Sequence, residues 1–230
     1  MSRYNRYGYG YGNKYDSYKA DENKIKRDFM NYANKKTKKI DEDGYEKMGK
    51  ALGIDIYTDI LMTYFSFKCG AKQMEFITEK EYIQGLKALK CNELSELKNK
   101  LTSLREELLD LNTDDFRNFY YFLFDLNVPG TEQEKKKKSI SFEAIEVYFN
   151  SLFCNQFKIA KEFLDYLKEK KVGLKWDEWR MFLDFMQNMG TTFPTDYNMA
   201  EYYPIIIDEF YLWYCKKHGI KIPDPDEDGF

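Results

Sequence analysis

A chain of 230 residues with 43% hydrophobic content can build one globular core or two small ones. Lys+Arg 36 against Asp+Glu 39 leaves a net charge of −3, which argues against a nucleic-acid-binding domain and its usual basic balance. No apolar run approaches about 18 residues, so no helix is expected to span a membrane, and the start, MSRYNRYGYGYGNKYDSYK, has no apolar stretch of the signal-peptide kind.

Cys69, Cys91, Cys154 and Cys215 show no CxxC spacing and read as reduced thiols of a cytoplasmic and/or nuclear protein. His218 is the single histidine, so a His-rich metal site is impossible and any Ser-His or Cys-His pair would have to use it. A lone histidine beside lysines at a helix end is more simply a partner for the helix dipole. No phosphate-loop, dinucleotide, zinc-protease or nucleophile-elbow motif occurs. No catalytic residue, metal ligand set or cofactor is therefore expected.

In chain order, residues 1–20 form a low-complexity tail with six tyrosines and three glycines, four basic residues and one acidic. It reads as disordered; arginine beside tyrosine and glycine could also stack on single-stranded RNA. Ile25, Phe29 and Tyr32 then repeat at helical spacing behind an acidic start. DEDG at 41–44 reads as a turn. Leu61, Tyr64, Phe65 and Lys68 mark a helix ending near Cys69–Gly70, and MEFI at 74–77 is short and extended. Thr78 with Glu81 is a capping box opening a helix through Leu89. Leu94, Leu97, Leu101, Leu104 and Leu108 share one face and predict one packed helix. Asp114 and Asp115 start a helix whose FRNFYYFLF is apolar nearly all round and must be buried. Residues 127–139 read as a polar loop, followed by helices near 141–153 and 156–171. Trp176, Trp179, Phe182, Phe185, Met186 and Met189 define an amphipathic helix, residues 190–199 a loop, and Pro204 opens the last helix.

Helix pairs around a short extended stretch suggest EF-hands. Placing Gly44 at loop position six puts Asp41 and Asp43 at positions three and five, but Lys39 and Lys50 where calcium needs carboxylates. The expectation is a degenerate EF-hand-like pair without calcium, its loops joined by backbone pairing at MEFI. The fold class is thus all-α, with EF-hand-like helix pairs packed into one elongated helical domain over 21–217. The EF-hand-like part covers about 21–126, a second part about 139–217, and 218–230 is an acidic tail. Charge is uneven: residues 177–230 hold eleven acidic and four basic residues, net −7, while the tail 1–20 is +3, leaving +1 between. Acids interleaved with Trp, Tyr and Phe fit a docking patch for a basic partner, with a solvated face as the plainer reading.

Several segments in order, DGYEKMGKALGI, MEFITEKEYIQGLKALKCNELSELKNKL, FRNFYYFLFDL, WDEWRMFLDF and YYPIIIDEFYLWY, resemble the defective-in-cullin-neddylation (Dcn-like) family and its potentiating-neddylation domain, over roughly 25–215. The resemblance implies a non-catalytic scaffold, a co-ligase. Its partners would be a cullin's C-terminal winged-helix subdomain and the neddylation conjugating enzyme, gripped by its acetylated N-terminal methionine. Holding both would speed transfer of the ubiquitin-like modifier to a cullin lysine by proximity. Carried over by position, the cullin-binding residues are Asp177 in WDEW, Asp208 with Glu209 in IDEF, and Tyr202, where the family usually has alanine before the aromatic-Pro pair. The peptide pocket falls on Ile60, Thr63, Tyr64, Phe76 and Leu126, each of which could equally be core. Two other classes of function stand beside this one. An EF-hand-like adaptor would bind an amphipathic helix regardless of acetylation; an RNA-associated protein would lose salt-dependent binding without residues 1–20. Neither membrane nor nucleic acid is an expected partner.

Overall fold

The computed structural model describes residues 18–189, 193, 197 and 203–222. The expectations for the tail 1–17, most of the loop 190–202 including Tyr202, and the acidic end 223–230 lie outside the described residues.

The first part runs α1 (Glu22–Tyr32), β1 (Lys39–Ile40), α2 (Glu42–Leu52), α3 (Ile60–Cys69), β2 (Ile77–Thr78) and α4 (Glu79–Ala88). The two strands pair antiparallel, Lys39 with Thr78 and Ile40 with Ile77, so each lies between two helices. Ile40 and Ile77 point into the core and are fully buried. The expected capping box is present: Thr78 Oγ1 accepts from Glu81 N, and Glu81 accepts from Thr78 N at 2.7 Å. DEDG is not a turn. Asp41 caps α2 through Gly44 N, and Glu42, Asp43 and Gly44 are its first turn. The expected calcium-loop register fails with it. Gly44 and Lys50 are both helical, and Asp41 is bonded to the helix start and to Asn34 Nδ2. Gly44 fits because its missing side chain faces the Tyr32 carbonyl, where a Cβ would come within 2.5 Å.

The leucine stripe divides into α5 (Leu94–Lys98) and α6 (Leu101–Glu107) instead of one helix. Its leucines still face the core: Leu94, Leu97, Leu104 and Leu108 are buried and Leu101 half-buried. The break falls where Lys100 turns its ammonium onto the carbonyls of Leu89 and Lys90, at 2.7 and 3.1 Å, closing the end of α4. Helical spacing reports which residues face inward and does not register a break of this kind.

α7 (Asp114–Asn127) starts behind a Thr113 cap. It is buried on one face through Phe116, Phe119, Tyr120, Leu123 and Phe124, whereas Tyr121, Phe122 and Leu126 are half-buried and Asn118 exposed. The stretch 127–139 contains α8 (Glu132–Lys135), one turn with its own Thr131/Glu134 capping box. Then come β3 (Ser139–Ile140), α9 (Phe142–Leu152), α10 (Lys158–Lys170), β4 (Leu174–Lys175), α11 (Trp176–Met189) and α12 (Ile205–His218). β3 and β4 repeat the first ladder, Ser139 opposite Lys175 and Ile140 opposite Leu174.

One hydrophobic core runs through both parts. Its joint is Tyr120 of α7 against Trp179 of α11. The rings stack at 4.3 Å and 5°, Tyr120 Oη donates to the Trp179 carbonyl, and Trp179 Nε1 donates to the Tyr120 carbonyl, both at 3.0 Å. Both residues are fully buried, so each polar atom requires the partner it has.

Candidate functional site

The acidic face is built where β4 passes directly into α11 and where Pro204 starts α12. Gly173 lets the β3–β4 ladder close: a Cβ there would sit 2.0 Å from the Ile140 carbonyl oxygen. The ladder delivers Asp177 and Glu178 into the first turn of α11, where unpaired amides favour carboxylates. Glu178 turns back to accept from Lys175 N at 2.7 Å. Asp208 lies in the first turn of α12, with Glu209 following.

The structure separates the acids predicted from sequence. Asp177 is exposed and lines a concavity of about 350 Å³ with Asp125, Glu132, Lys135, Lys136, Trp176 and Arg180. Glu209, also exposed, lines a different one, of about 440 Å³, which includes Glu178, Tyr166, Val172, Lys170 and Ile205. Tyr166 donates to Glu209 at 2.9 Å. Burial, and then Glu209, hold that phenol protonated well above its ordinary range. Asp208 belongs to neither concavity. It is half-buried and accepts from Tyr197 Oη at 2.8 Å. Burial raises its carboxyl above the ordinary value, with the Tyr197 bond opposing. Two residues that sequence reasoning left out complete the second concavity: Glu178, and Ile205, which is 76% exposed at the helix start. The sequence-visible part of this is only that the P-I-I-I run puts its first isoleucine at the helix mouth, three residues before the Asp208–Glu209 pair.

The predicted peptide-pocket residues divide as well. Ile60, Thr63 and Tyr64 stand at i, i+3 and i+4 on α3, with Ile60 and Thr63 half-buried. Tyr64 is buried edge-on to Phe119 at 5.2 Å, and its hydroxyl donates to Asp115 at 2.6 Å, with Lys68 paired to the same carboxylate. Half-buried Phe67 and Phe122 extend this aromatic ridge at 5.5 Å, one turn before Leu126. Phe76 is placed at the first ladder, under the Lys39 ammonium at 3.3 Å.

The open apolar cavity lies beside these positions. About 390 Å³ is enclosed by Tyr45, Ile56, Tyr57, Met62 and Met74, with the exposed carboxylates of Glu42 and Glu75. Its lining adjoins the predicted positions in sequence: Met62 precedes Thr63, and Met74 stands two before Phe76. Tyr45 could not be found while DEDG was read as a turn, because α2 then had no start and no face.

Residues 96–213, just over half of the chain, match the model of the cullin-binding family. The chain is also similar to DCN1-like protein 5 of Homo sapiens, 25% identical over 175 residues, 76% of this chain and 70% of that protein. DCN1-like protein 4 of Drosophila melanogaster is 24% identical over 172 residues, 74% of this chain and 66% of its own. DCN1-like protein 3 of Xenopus tropicalis is 27% identical over 194 residues, 83% and 62% respectively. The matched stretch carries Asp177, Asp208 and Glu209 on the fold just described, and the chain belongs to the cullin-binding, Dcn-like family.

Proposed function

We propose that the protein is a neddylation co-ligase that acts as a scaffold without a nucleophile of its own. It holds a cullin's C-terminal winged-helix subdomain against the α10–α12 face. The neddylation conjugating enzyme is held by its acetylated N-terminal methionine in the cavity between α2 and α3, and transfer of the modifier to a cullin lysine is promoted by proximity. The observation that carries the cullin half is the concavity in which Glu178 and Glu209 flank the exposed Ile205 inside the matched stretch. An exposed apolar anchor beside two carboxylates, in a concavity that Lys170 and Lys175 also line, suits a partner that presents basic groups next to an apolar side chain. The methionine half is supported by the apolar lining of the other cavity, where Tyr45, Ile56, Met62 and Met74 can bed a methionine side chain and its acetyl methyl, with Glu42 and Glu75 as the exposed carboxylates of the same cavity. A cytoplasmic or nuclear setting belongs to the same proposal, since all four cysteines are free thiols.

Titration of the purified full chain tests both halves. Glu178→Lys with Glu209→Lys is expected to abolish measurable binding of a cullin winged-helix domain and to leave the acetylated peptide bound. Met62→Glu is expected to do the reverse. Asp177→Asn, which keeps a polar residue in the first turn, reports whether the separate Asp177 concavity belongs to the contact. Cullin binding unchanged in the double variant would overturn the docking assignment, and equal affinity for acetylated and free-amine peptides would overturn the cavity assignment.

A further inference from the structure

The tyrosine- and arginine-rich segment before Tyr18 is used by neither site. It carries Arg3, Arg6 and Lys14 against Asp16, with tyrosines at 4, 7, 9, 11 and 15. The cavity between α2 and α3 is its chemical complement. Tyr45, Ile56, Met62 and Met74 offer an aromatic ring an apolar bed, and Glu42 and Glu75 are exposed carboxylates at the same cavity. Tyr57 Oη donates to Glu42 at 3.3 Å, and neither Glu42 nor Glu75 has an ion-pair partner among the described residues. About 390 Å³ falls within the roughly 300–1,000 Å³ of ordinary ligand pockets.

The tether is long enough. Tyr18 Oη donates to the Cys91 carbonyl at 3.2 Å, and Asn92 bonds both Lys19 and Asp21, so the segment leaves the fold at the junction of α4 and α5. α1 runs from that point for 11 residues, about 16 Å at 1.5 Å per residue. It delivers the Tyr32 carbonyl against Gly44, in the same turn of α2 as Glu42 and Tyr45. The cavity is therefore little more than one helix length from the exit. The chain between Tyr7 and Tyr18 can extend to roughly 36–40 Å.

We propose that the segment Arg3–Tyr11 is an intramolecular ligand of this cavity. A tyrosine ring enters the apolar bed, and Arg3 or Arg6 meets Glu42 and Glu75, so the chain occludes its own cavity until a competing peptide displaces it. Tethering puts the ligand at an effective concentration in about the millimolar range, which lets even a weak contact compete. Occupancy rests on the cavity alone; that the competitor is a conjugating-enzyme peptide rests on the reading in the preceding subsection.

The test uses the full chain with a benzophenone photo-crosslinking amino acid in place of Tyr57, which is 66% exposed and lines the cavity. It is compared with the same chain carrying Arg3→Glu, Tyr4→Ser, Arg6→Glu and Tyr7→Ser. Irradiation at high dilution, digestion and mass spectrometry are expected to show crosslinks within one chain to residues 3–11, lost in the fourfold variant. No crosslink to residues 3–11, an equal yield in the variant, or crosslinks only between chains would each overturn the proposal. Acetylated conjugating-enzyme peptide, titrated into both chains without the crosslinker, is expected to bind the fourfold variant roughly tenfold tighter, as for a cavity open about a tenth of the time. Equal, measurable affinity overturns the occlusion. If neither chain binds the peptide while the crosslink still forms, the self-ligand stands and the conjugating-enzyme reading fails.

Discussion

Asp208 shows a carboxylate at a helix start caught between two duties. Its side chain is half-buried, accepts the Tyr197 hydroxyl at 2.8 Å and has its carboxyl raised chiefly by burial. A raised carboxyl means that the folded state disfavours the charged form. Its contribution to stability is therefore fully present below the unfolded value of about 3.9 and is lost as pH rises through the folded value. Asp208→Asn keeps an acceptor for Tyr197 and removes the charge. The melting temperature of Asp208→Asn is expected to equal or exceed that of the parent at neutral pH, and thermal scans should show the gap closing below about pH 4, where the parent is protonated too. A variant markedly less stable at neutral pH would show that the charge itself serves the fold. Asp208→Lys is a poorer probe of docking than the exposed Glu209, because it would strand the buried Tyr197 hydroxyl.

Between elements, two contacts carry their own tests. Gly85 of α4 packs directly on Cys69 of α3, and a Cβ at Gly85 would meet Cys69 Sγ at 2.4 Å. Gly85→Ala is expected to cost about 1–3 kcal/mol, the range for overpacking a core. Gly85→Ala with Cys69→Ala should lose less than Gly85→Ala alone, a non-additivity that urea midpoints would read directly. The second contact latches the end of α12 to α10. Lys217 donates to Glu162 Oε2 at 2.7 Å, and His218 Nε2 lies 3.3 Å from Glu162 Oε1, which is where the single histidine of the chain goes. Burial pushes the Glu162 carboxyl up, but the bond and charge of Lys217, with His218, outweigh it and hold the group below its ordinary value. A depressed carboxyl adds stability above its unfolded value of about 4.3, and that stability is lost as pH falls through the folded value. Lys217→Met is expected to cost roughly 1–3 kcal/mol at neutral pH, from a buried group left under-paired. Its stability should also fall less steeply than the parent's in an acid titration, and an equally steep fall would assign the acid sensitivity to other groups.

For the molecule as a whole, the Tyr120–Trp179 joint decides whether the two candidate sites act from one body. It is a fully buried stack closed by two reciprocal hydrogen bonds, at the point where α7 meets α11. Trp179→Ala is expected to cost about 3–5 kcal/mol, the loss typical of a large core side chain. Because the core is continuous, near- and far-ultraviolet circular dichroism should report one coincident transition at a lower denaturant concentration. Two separated transitions would show that the ladders fold as independent units.

Much of this fold was legible in the sequence, because helices announce themselves through spacing and caps that act within four residues. The Thr78–Glu81 box, the end of α3 at Cys69–Gly70 and the inward leucines all follow from local chemistry, as does the all-α class. The family was legible too, in the order of its segments. What escaped was set by groups distant in the chain. The break between α5 and α6 coincides with Lys100 reaching back to α4, and the first turn of α2 brings Gly44 against the Tyr32 carbonyl. Which of the candidate residues share a surface was not legible in the sequence. Sequence spacing put Asp177 and Glu209 near helix starts. Only the ladder between β3 and β4 decided that Glu178, rather than Asp177, shares a concavity with Glu209 and Ile205. Likewise Met62 and Tyr64 are near neighbours on α3, but the cavity opens on Met62, while the ring of Tyr64 is buried against Phe119. A helix periodicity states which side chains are apolar; whether an apolar side chain fills the core or lines a cavity depends on the shape of the elements that meet there.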